Sequence, residues 1–158
     1  MRFNSLIFSY LTTRRRRKFL KNKISAYSAE IPIVVVGNLT IGGTGKTPLV
    51  KYIATELSNK GYKPGIVSRG YGGKFKETLQ VTDQTSVKET GDEAQILAKL
   101  NFPFYIDKNR VRAVKNLVAN HDCDIIISDD GLQHYQMGRN IEIAVIDGKR
   151  RFGNNLTF

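Results

Sequence analysis

The sequence predicts an α/β fold, a parallel sheet flanked by helices, and three features carry that expectation. Ile31 to Val36 is a β-branched run without alternation, the composition of a strand buried on both faces. A glycine-rich turn and an amphipathic helix follow it directly. A second apolar run, Asp124 to Ser128, ends in the paired acids Asp129 and Asp130. In an open parallel sheet the loops after both strands emerge at the carboxyl edge. Two chemically distinctive segments are therefore expected side by side there.

The 158 residues suit one domain, or one domain with an appendage. Apolar residues at 41% and charged residues at 25% describe a soluble globular class rather than a disordered one. No run approaches the roughly 20 apolar residues of a membrane-spanning helix. The single cysteine, Cys123, excludes a disulfide within the chain and a Cys-based zinc site, and it suits a reducing cytoplasm. It reads as a small core residue beside the second strand. The net charge of +11 is concentrated at one end: residues 1–28 hold 8 basic residues and no acid, leaving 17 basic and 14 acidic residues in 29–158. A nearly neutral body argues against a globular nucleic-acid binder with a basic face.

Taken in chain order, the first element is that basic arm, residues 1–28. Phe3, Leu6, Ile7, Tyr10 and Leu11 recur on one helical face, and Arg14-Arg15-Arg16-Arg17-Lys18 follows them. The main charge lies after the apolar stretch and no small-residue cleavage site follows, which is not the plan of a secretory signal. A short apolar face beside a basic cluster fits a helix lying in an anionic membrane interface. A solvated basic tail, a helix packed on the domain, and a nucleic-acid arm remain alternatives at this point.

The run Ile31 to Val36 leads into Gly37-Asn38-Leu39-Thr40-Ile41-Gly42-Gly43-Thr44-Gly45-Lys46-Thr47. A helix is expected from about Pro48 to Asn59, with Leu49, Val50, Ile53, Ala54 and Leu57 on one face and Gly61 as its C-terminal stop. Strand, glycine-rich loop and helix in that order are the context of a P-loop. Gly42, Gly43 and Gly45 let backbone N–H groups, that of Thr44 included, cradle phosphate oxygens at a helix N-terminus. Lys46 then sets a positive charge against the β- and γ-phosphates of ATP, and the Thr47 hydroxyl suits a Mg²⁺ ligand. The first glycine of the usual pattern is replaced by Thr40, with Gly42-Gly43 supplying local freedom. The alternative is a glycine-rich turn with an incidental Gly-Lys-Thr.

Further along, Gly65 to Ser68 is expected as a strand leading into Arg69-Gly70-Tyr71-Gly72-Gly73, and the polar stretch 73–90 as a loop or small hairpin. Asp92 to Leu100 and Asn109 to Asn120 are expected as helices, with Phe102 to Ile106 as a strand between them. Asp124 to Ser128 has the form of a Walker B strand, whose acids Asp129 and Asp130 would hold Mg²⁺; an Asp-Asp-Gly turn is the bland alternative. Ile141 to Ile146 is a last strand, ending at Asp147. Strands alternating with helices imply right-handed crossovers and a P-loop NTPase-like parallel sheet.

Several of these segments together resemble the tetraacyldisaccharide 4′-kinase family. They are Val36 to Pro48, Val67 to Gly73, Gly91-Asp92-Glu93, Ser128-Asp129-Asp130-Gly131-Leu132-Gln133-His134, and Arg150-Arg151-Phe152-Gly153. Their order and spacing match the family across essentially residues 1–154. The resemblance implies transfer of the ATP γ-phosphoryl to the 4′-hydroxyl of tetraacyldisaccharide 1-phosphate, giving lipid IVA. It implies ATP and Mg²⁺ as cofactors, a P-loop kinase domain over 29–158, and an N-terminal helix on the cytoplasmic face of the anionic inner membrane; no nucleic-acid partner is expected. It makes Lys46 and Asp92 catalytic, Asp92 being the carboxylate near the sugar hydroxyl, and Thr47, Asp129 and Asp130 the metal-holding residues. By residue type alone, Gly91-Asp92-Glu93 equally well starts a helix, with acids favoured in its first turn. His134 falls in a family motif without an assigned role. The resemblance also implies a further lobe beyond Arg150 to Gly153, bearing a histidine that pairs with the catalytic Asp. With the sequence ending at Phe158, the alternative expectation is a truncated P-loop protein that binds ATP at the membrane but is impaired in transfer.

Overall fold

The computed structural model describes residues 14, 17, 26–38, 45–146 and 148. Its elements in order are β1 (Ile33–Asn38), α1 (Lys46–Asn59), β2 (Pro64–Ser68), β3 (Leu79–Gln80), α2 (Val87–Thr90), α3 (Asp92–Ala98), β4 (Phe104–Ile106), α4 (Arg110–Asn120), β5 (Ile125–Asp129) and β6 (Ile141–Val145). The proposed arm helix over Phe3 to Leu11, the run Leu39 to Thr44, Asp147, and the Arg150 to Gly153 segment lie outside the described residues.

The six strands form one sheet in the order β3-β4-β2-β5-β1-β6. β1 lies between β5 and β6 and β2 between β4 and β5, every one of these pairs parallel. The expectation of a purely parallel sheet fails at one edge, where Leu79 and Gln80 pair antiparallel with Ile106 and Tyr105. The cause is topological. β2 delivers the chain to the carboxyl edge, and β3 turns back from that edge with no helical crossover to restore the direction. The sheet is therefore mixed.

Burial explains why these segments became strands. Ile33, Val34, Val35 and Val36 are all buried, as a both-faces-covered strand requires. On one face α1 and α3 bring Val50, Ala54 and Leu97 against Val36, Ile66 and Ile127. On the other, Ala113, Val114 and Leu117 of α4 meet Val35, Val67 and Ile126. Each fully buried Val, Leu or Ile side chain is worth about 1.5–3 kcal/mol over exposure. Cys123 is half-buried, its Sγ close to Gly65. The Asn109 side chain caps α4 by accepting from the Val111 and Arg112 N–H groups.

At the end of β4 the buried Asp107 ties three segments together. It accepts from Arg112 Nε at 2.5 Å, from the Asn109 N–H at 2.8 Å, and from the Thr78 hydroxyl just before β3. Burial alone would raise its proton affinity, but the donors from Arg112, Thr78 and Asn109 outweigh it and hold the carboxyl below its usual range.

Candidate active site

Val36 lies opposite Asp129 in the β1–β5 register, so the end of β1 at Asn38 and the paired acids at the end of β5 share the carboxyl edge. Lys46 opens α1 at that edge and reaches back across it. Its Nζ donates to Asn38 Oδ1 at 2.9 Å and to Asp130 Oδ1 at 2.8 Å. The Lys46 side chain is only 16% exposed against 49% for Asp130, so the ammonium is the better sheltered partner. Gly45, just before α1, has φ 79° and ψ 20°, a left-handed conformation that glycine adopts without strain. Among the described residues no side chain caps the N-terminus of α1, and its first turn carries no acid. An uncapped helix start with a lysine beside it suits an anion. Thr47, the second residue of α1, is buried. Gly42, Gly43 and Thr44 lie outside the described residues.

Asp129 is 2% exposed, and among the described residues its Oδ1 has no hydrogen-bond partner. Burial pushes its carboxyl up to about 6; Lys46 opposes the rise, whereas Asp130 and Glu93 add to it. A carboxylate oxygen buried without a donor is what a divalent cation would satisfy. Among the described residues no group of three or more His, Cys, Asp or Glu could hold a metal by itself. Mg²⁺ commonly takes only one or two carboxylates and fills its shell with water and phosphate oxygens. Asp129 and Asp130 at the end of β5, with Thr47 in the first turn of α1, fit that ion better than one needing a protein cage.

A raised acid pKa has a definite effect on stability. Between about pH 4 and 6 the folded protein holds a proton on Asp129 that the unfolded chain has released, so stability falls as pH rises through that window. The full effect is about 3 kcal/mol. Chemical unfolding of the apoprotein is expected to show this decline, and Asp129→Asn is expected to remove most of it. Equal slopes in the two proteins would contradict the assignment.

Asp92 is the first residue of α3 and is exposed. Among the described residues it makes no hydrogen bond or ion pair with Lys46, Asp129 or Asp130. What ties this helix start to the acids is its neighbour Glu93, whose charge raises the Asp129 carboxyl. The structure also joins two motifs that lie apart in sequence. The Arg69 to Gly73 loop packs on the α2–α3 junction, where a Cβ on Gly91 would fall 2.1 Å from the Tyr71 carbonyl oxygen and one on Gly73 2.3 Å from that of Glu89. His134 sits in a turn, its N–H donating to the Gly131 carbonyl at 3.0 Å and its carbonyl accepting from Arg139 at 2.7 Å.

Three residues of this edge escaped the sequence reading: Asn38, Glu93 and Arg110. Asn38 ends a strand, where an Asn is an ordinary turn residue. Glu93 stands in the Gly91-Asp92-Glu93 motif but carries no role there beyond that of a first-turn acid. Arg110 looks like a surface charge at a helix start, and nothing local in the sequence marks it as buried.

Comparison with known proteins follows the same lines. The family model described as Tetraacyldisaccharide-1-P 4′-kinase matches residues 1–158. A Tetraacyldisaccharide 4′-kinase of Photobacterium profundum is 48% identical over 152 residues, covering 95% of this chain and 44% of that protein. One of Shewanella denitrificans is 44% identical over 149 residues, covering 94% and 45%. A crystal structure of LpxK from Aquifex aeolicus in complex with ATP superposes with a TM-score of 0.79 at 33% identity, covering 90% of this chain and 48% of that one. The chain thus spans about half the length of the curated relatives it matches. The lysine at the start of α1, the paired acids at the end of β5 and the match along all 158 residues have one explanation: the chain belongs to the tetraacyldisaccharide-1-P 4′-kinase family.

Proposed function

We propose that this protein is an ATP-dependent lipid kinase, transferring the γ-phosphoryl of ATP to the 4′-hydroxyl of tetraacyldisaccharide 1-phosphate to form lipid IVA. The observation that carries the reading is the Lys46 ammonium, 2.8 Å from Asp130 at the uncapped start of α1 and close enough to oppose the rise of the buried Asp129 carboxyl. In this reading the N–H groups of Gly42, Gly43, Thr44 and Gly45 cradle the phosphates, and Lys46 exchanges Asp130 for the β- and γ-phosphate oxygens. Thr47, Asp129 and Asp130 are the residues that would hold Mg²⁺, which when bound neutralises phosphate charge. Asp92 accepts a hydrogen bond from the 4′-hydroxyl, orients it, and takes its proton late in a loose transition state. An exposed carboxylate on a helix start suits that role, because among the described residues it has no donor to give up. Residues 29–158 form the kinase domain. Residues 1–28 are the basic arm, in which 1–24 form an amphipathic helix on the cytoplasmic face of the inner membrane, bringing the site to a substrate whose acyl chains stay in the bilayer.

Measuring Mg²⁺-ATP binding and lipid IVA formation on one preparation tests this. Asp92→Asn is expected to keep nucleotide affinity within about 3-fold and to lower transfer at least 100-fold, roughly 3 kcal/mol. Equal loss of binding and transfer would remove Asp92 from the chemistry. For the arm, deletion of residues 2–24 should abolish binding to anionic vesicles, and high salt should weaken binding by the intact protein without abolishing it. Vesicle binding unchanged by the deletion would place the anchor elsewhere.

A further inference from the structure

Arg110 is a charged side chain that the chemistry above does not use, yet it is buried at the same edge. It is the first residue of α4 and only 2% exposed. Its guanidinium donates to three backbone carbonyls: Nη1 to that of Asp107 at 2.9 Å, and Nη2 to those of Asp129 at 3.4 Å and Asp130 at 3.2 Å. Burial lowers its pKa to about 10, with Asp130 working against the fall, so the group stays charged at neutral pH. Burying a guanidinium is costly, and here the return is three carbonyl contacts rather than a carboxylate pair.

Two of those carbonyls bracket an unusual peptide. Asp130 has φ 53°, in the left-handed region that residues with a side chain seldom enter. Such a conformation persists only where the surroundings hold it. Arg110 bonds the carbonyl before this residue and the carbonyl of the residue itself. From the same residue the carboxylate meets Lys46. The backbone clamp and the ion pair are thus the two ends of one amino acid.

We propose that Arg110 is a positioning residue, clamping the Asp129–Asp130 backbone in the left-handed turn that sets the Asp130 carboxylate against Lys46. Its importance for nucleotide handling rests on the kinase reading, but the clamp itself can be judged without nucleotide. The planar fork is what makes the contacts, so lysine, which keeps the charge and much of the stem, does not replace it.

The test is limited acetylation of the apoprotein with acetic anhydride, read by peptide mass spectrometry as the rate at Lys46 relative to exposed Lys99. Arg110→Lys and Arg110→Gln are each expected to raise that ratio about 5-fold, as is Asp130→Asn. Because Arg110 acts through Asp130, the double variant Arg110→Lys/Asp130→Asn should show no further rise. A variant that merely unfolds betrays itself by faster acetylation at every lysine, and the milder Arg110→Lys then decides. A wild-type ratio in folded Arg110→Lys, or effects that multiply in the double variant, would overturn the clamp. On the same preparations, a fluorescent ATP analogue with Mg²⁺ should bind about 10-fold more weakly to Arg110→Lys; unchanged affinity would overturn the clamp's service to the site. Should the unsubstituted protein bind no analogue, the nucleotide reading falls while the acetylation ratio still judges the clamp.

Discussion

Lys46→Ala is expected to weaken Mg²⁺-ATP binding at least 100-fold, roughly 3 kcal/mol. The ammonium is hydrogen-bonded to both strand ends that flank the site, through Asn38 and Asp130. A charge-assisted hydrogen bond is worth about 1.5–3 kcal/mol, and its loss here is compounded. Without Lys46, Asp129 and Asp130 present less well compensated negative charge to the incoming phosphates, with Arg110 remaining beside them, and the Asp129 carboxyl loses the largest influence opposing its upward shift. Lys63→Ala is the matched control, since Lys63 pairs with Asp122 where both side chains are well exposed. Such exposed pairs contribute little to stability, and its removal should leave affinity unchanged. Calorimetric titration of the three proteins decides the matter, and a Lys46→Ala affinity within a few-fold of the parent would remove the lysine from the site.

Gly91→Ala is expected to destabilise the fold by at least about 3 kcal/mol. Gly91 has φ 84° and ψ 160°, a region that is essentially closed to any residue with a Cβ. Space is refused as well, because the added methyl would fall 2.1 Å from the Tyr71 carbonyl oxygen and 3.2 Å from the Gly73 nitrogen. Both neighbours are backbone, so neither can swing aside as a side chain would. Against a usual total stability of about 5–15 kcal/mol, the loss threatens folding outright, and it falls on the residue that sets Asp92 at the start of α3. Gly61→Ala offers a contrast: it too has positive φ, at 90°, but nothing lies within 4 Å of the added carbon. Its cost should be about 1–2 kcal/mol. Denaturant midpoints of the two variants separate close packing from backbone strain, and similar losses would show that the Tyr71 contact carries no weight.

The strongest apolar runs in the sequence coincided with the best-buried strands. The run Ile31 to Val36 appears as Ile33–Asn38, and Asp124 to Ser128 as Ile125–Asp129, shifts of one or two residues. The helix expected from Pro48 begins at Lys46, which places Lys46 and Thr47 in its first turn rather than in the loop. Leu79–Gln80 was not legible, because two residues in a polar stretch have no period; they became a strand only by pairing with Tyr105 and Ile106. In the same way α2, four residues long, rests on the Ser86 cap that accepts from the Glu89 N–H.

At the site the division is sharper. Lys46, Thr47, Asp129 and Asp130 could be named from sequence because each follows a strand whose apolar run announces where it ends. Their convergence followed from a general rule, that parallel strands deliver their loops to one edge. The local order of residues thus determined which groups could do chemistry and at which edge they would stand. What only the tertiary structure decided was which strands became neighbours and what surrounds them. The placement of β5 directly beside β1 puts Asp130 within 2.8 Å of an ammonium 84 residues earlier. The burial of Asp129 and the reach of Arg110 to the carbonyls of β5 follow from helices packing on that sheet. Such contacts depend on strand order, register and packing across long separations, and they leave no periodic trace along the chain.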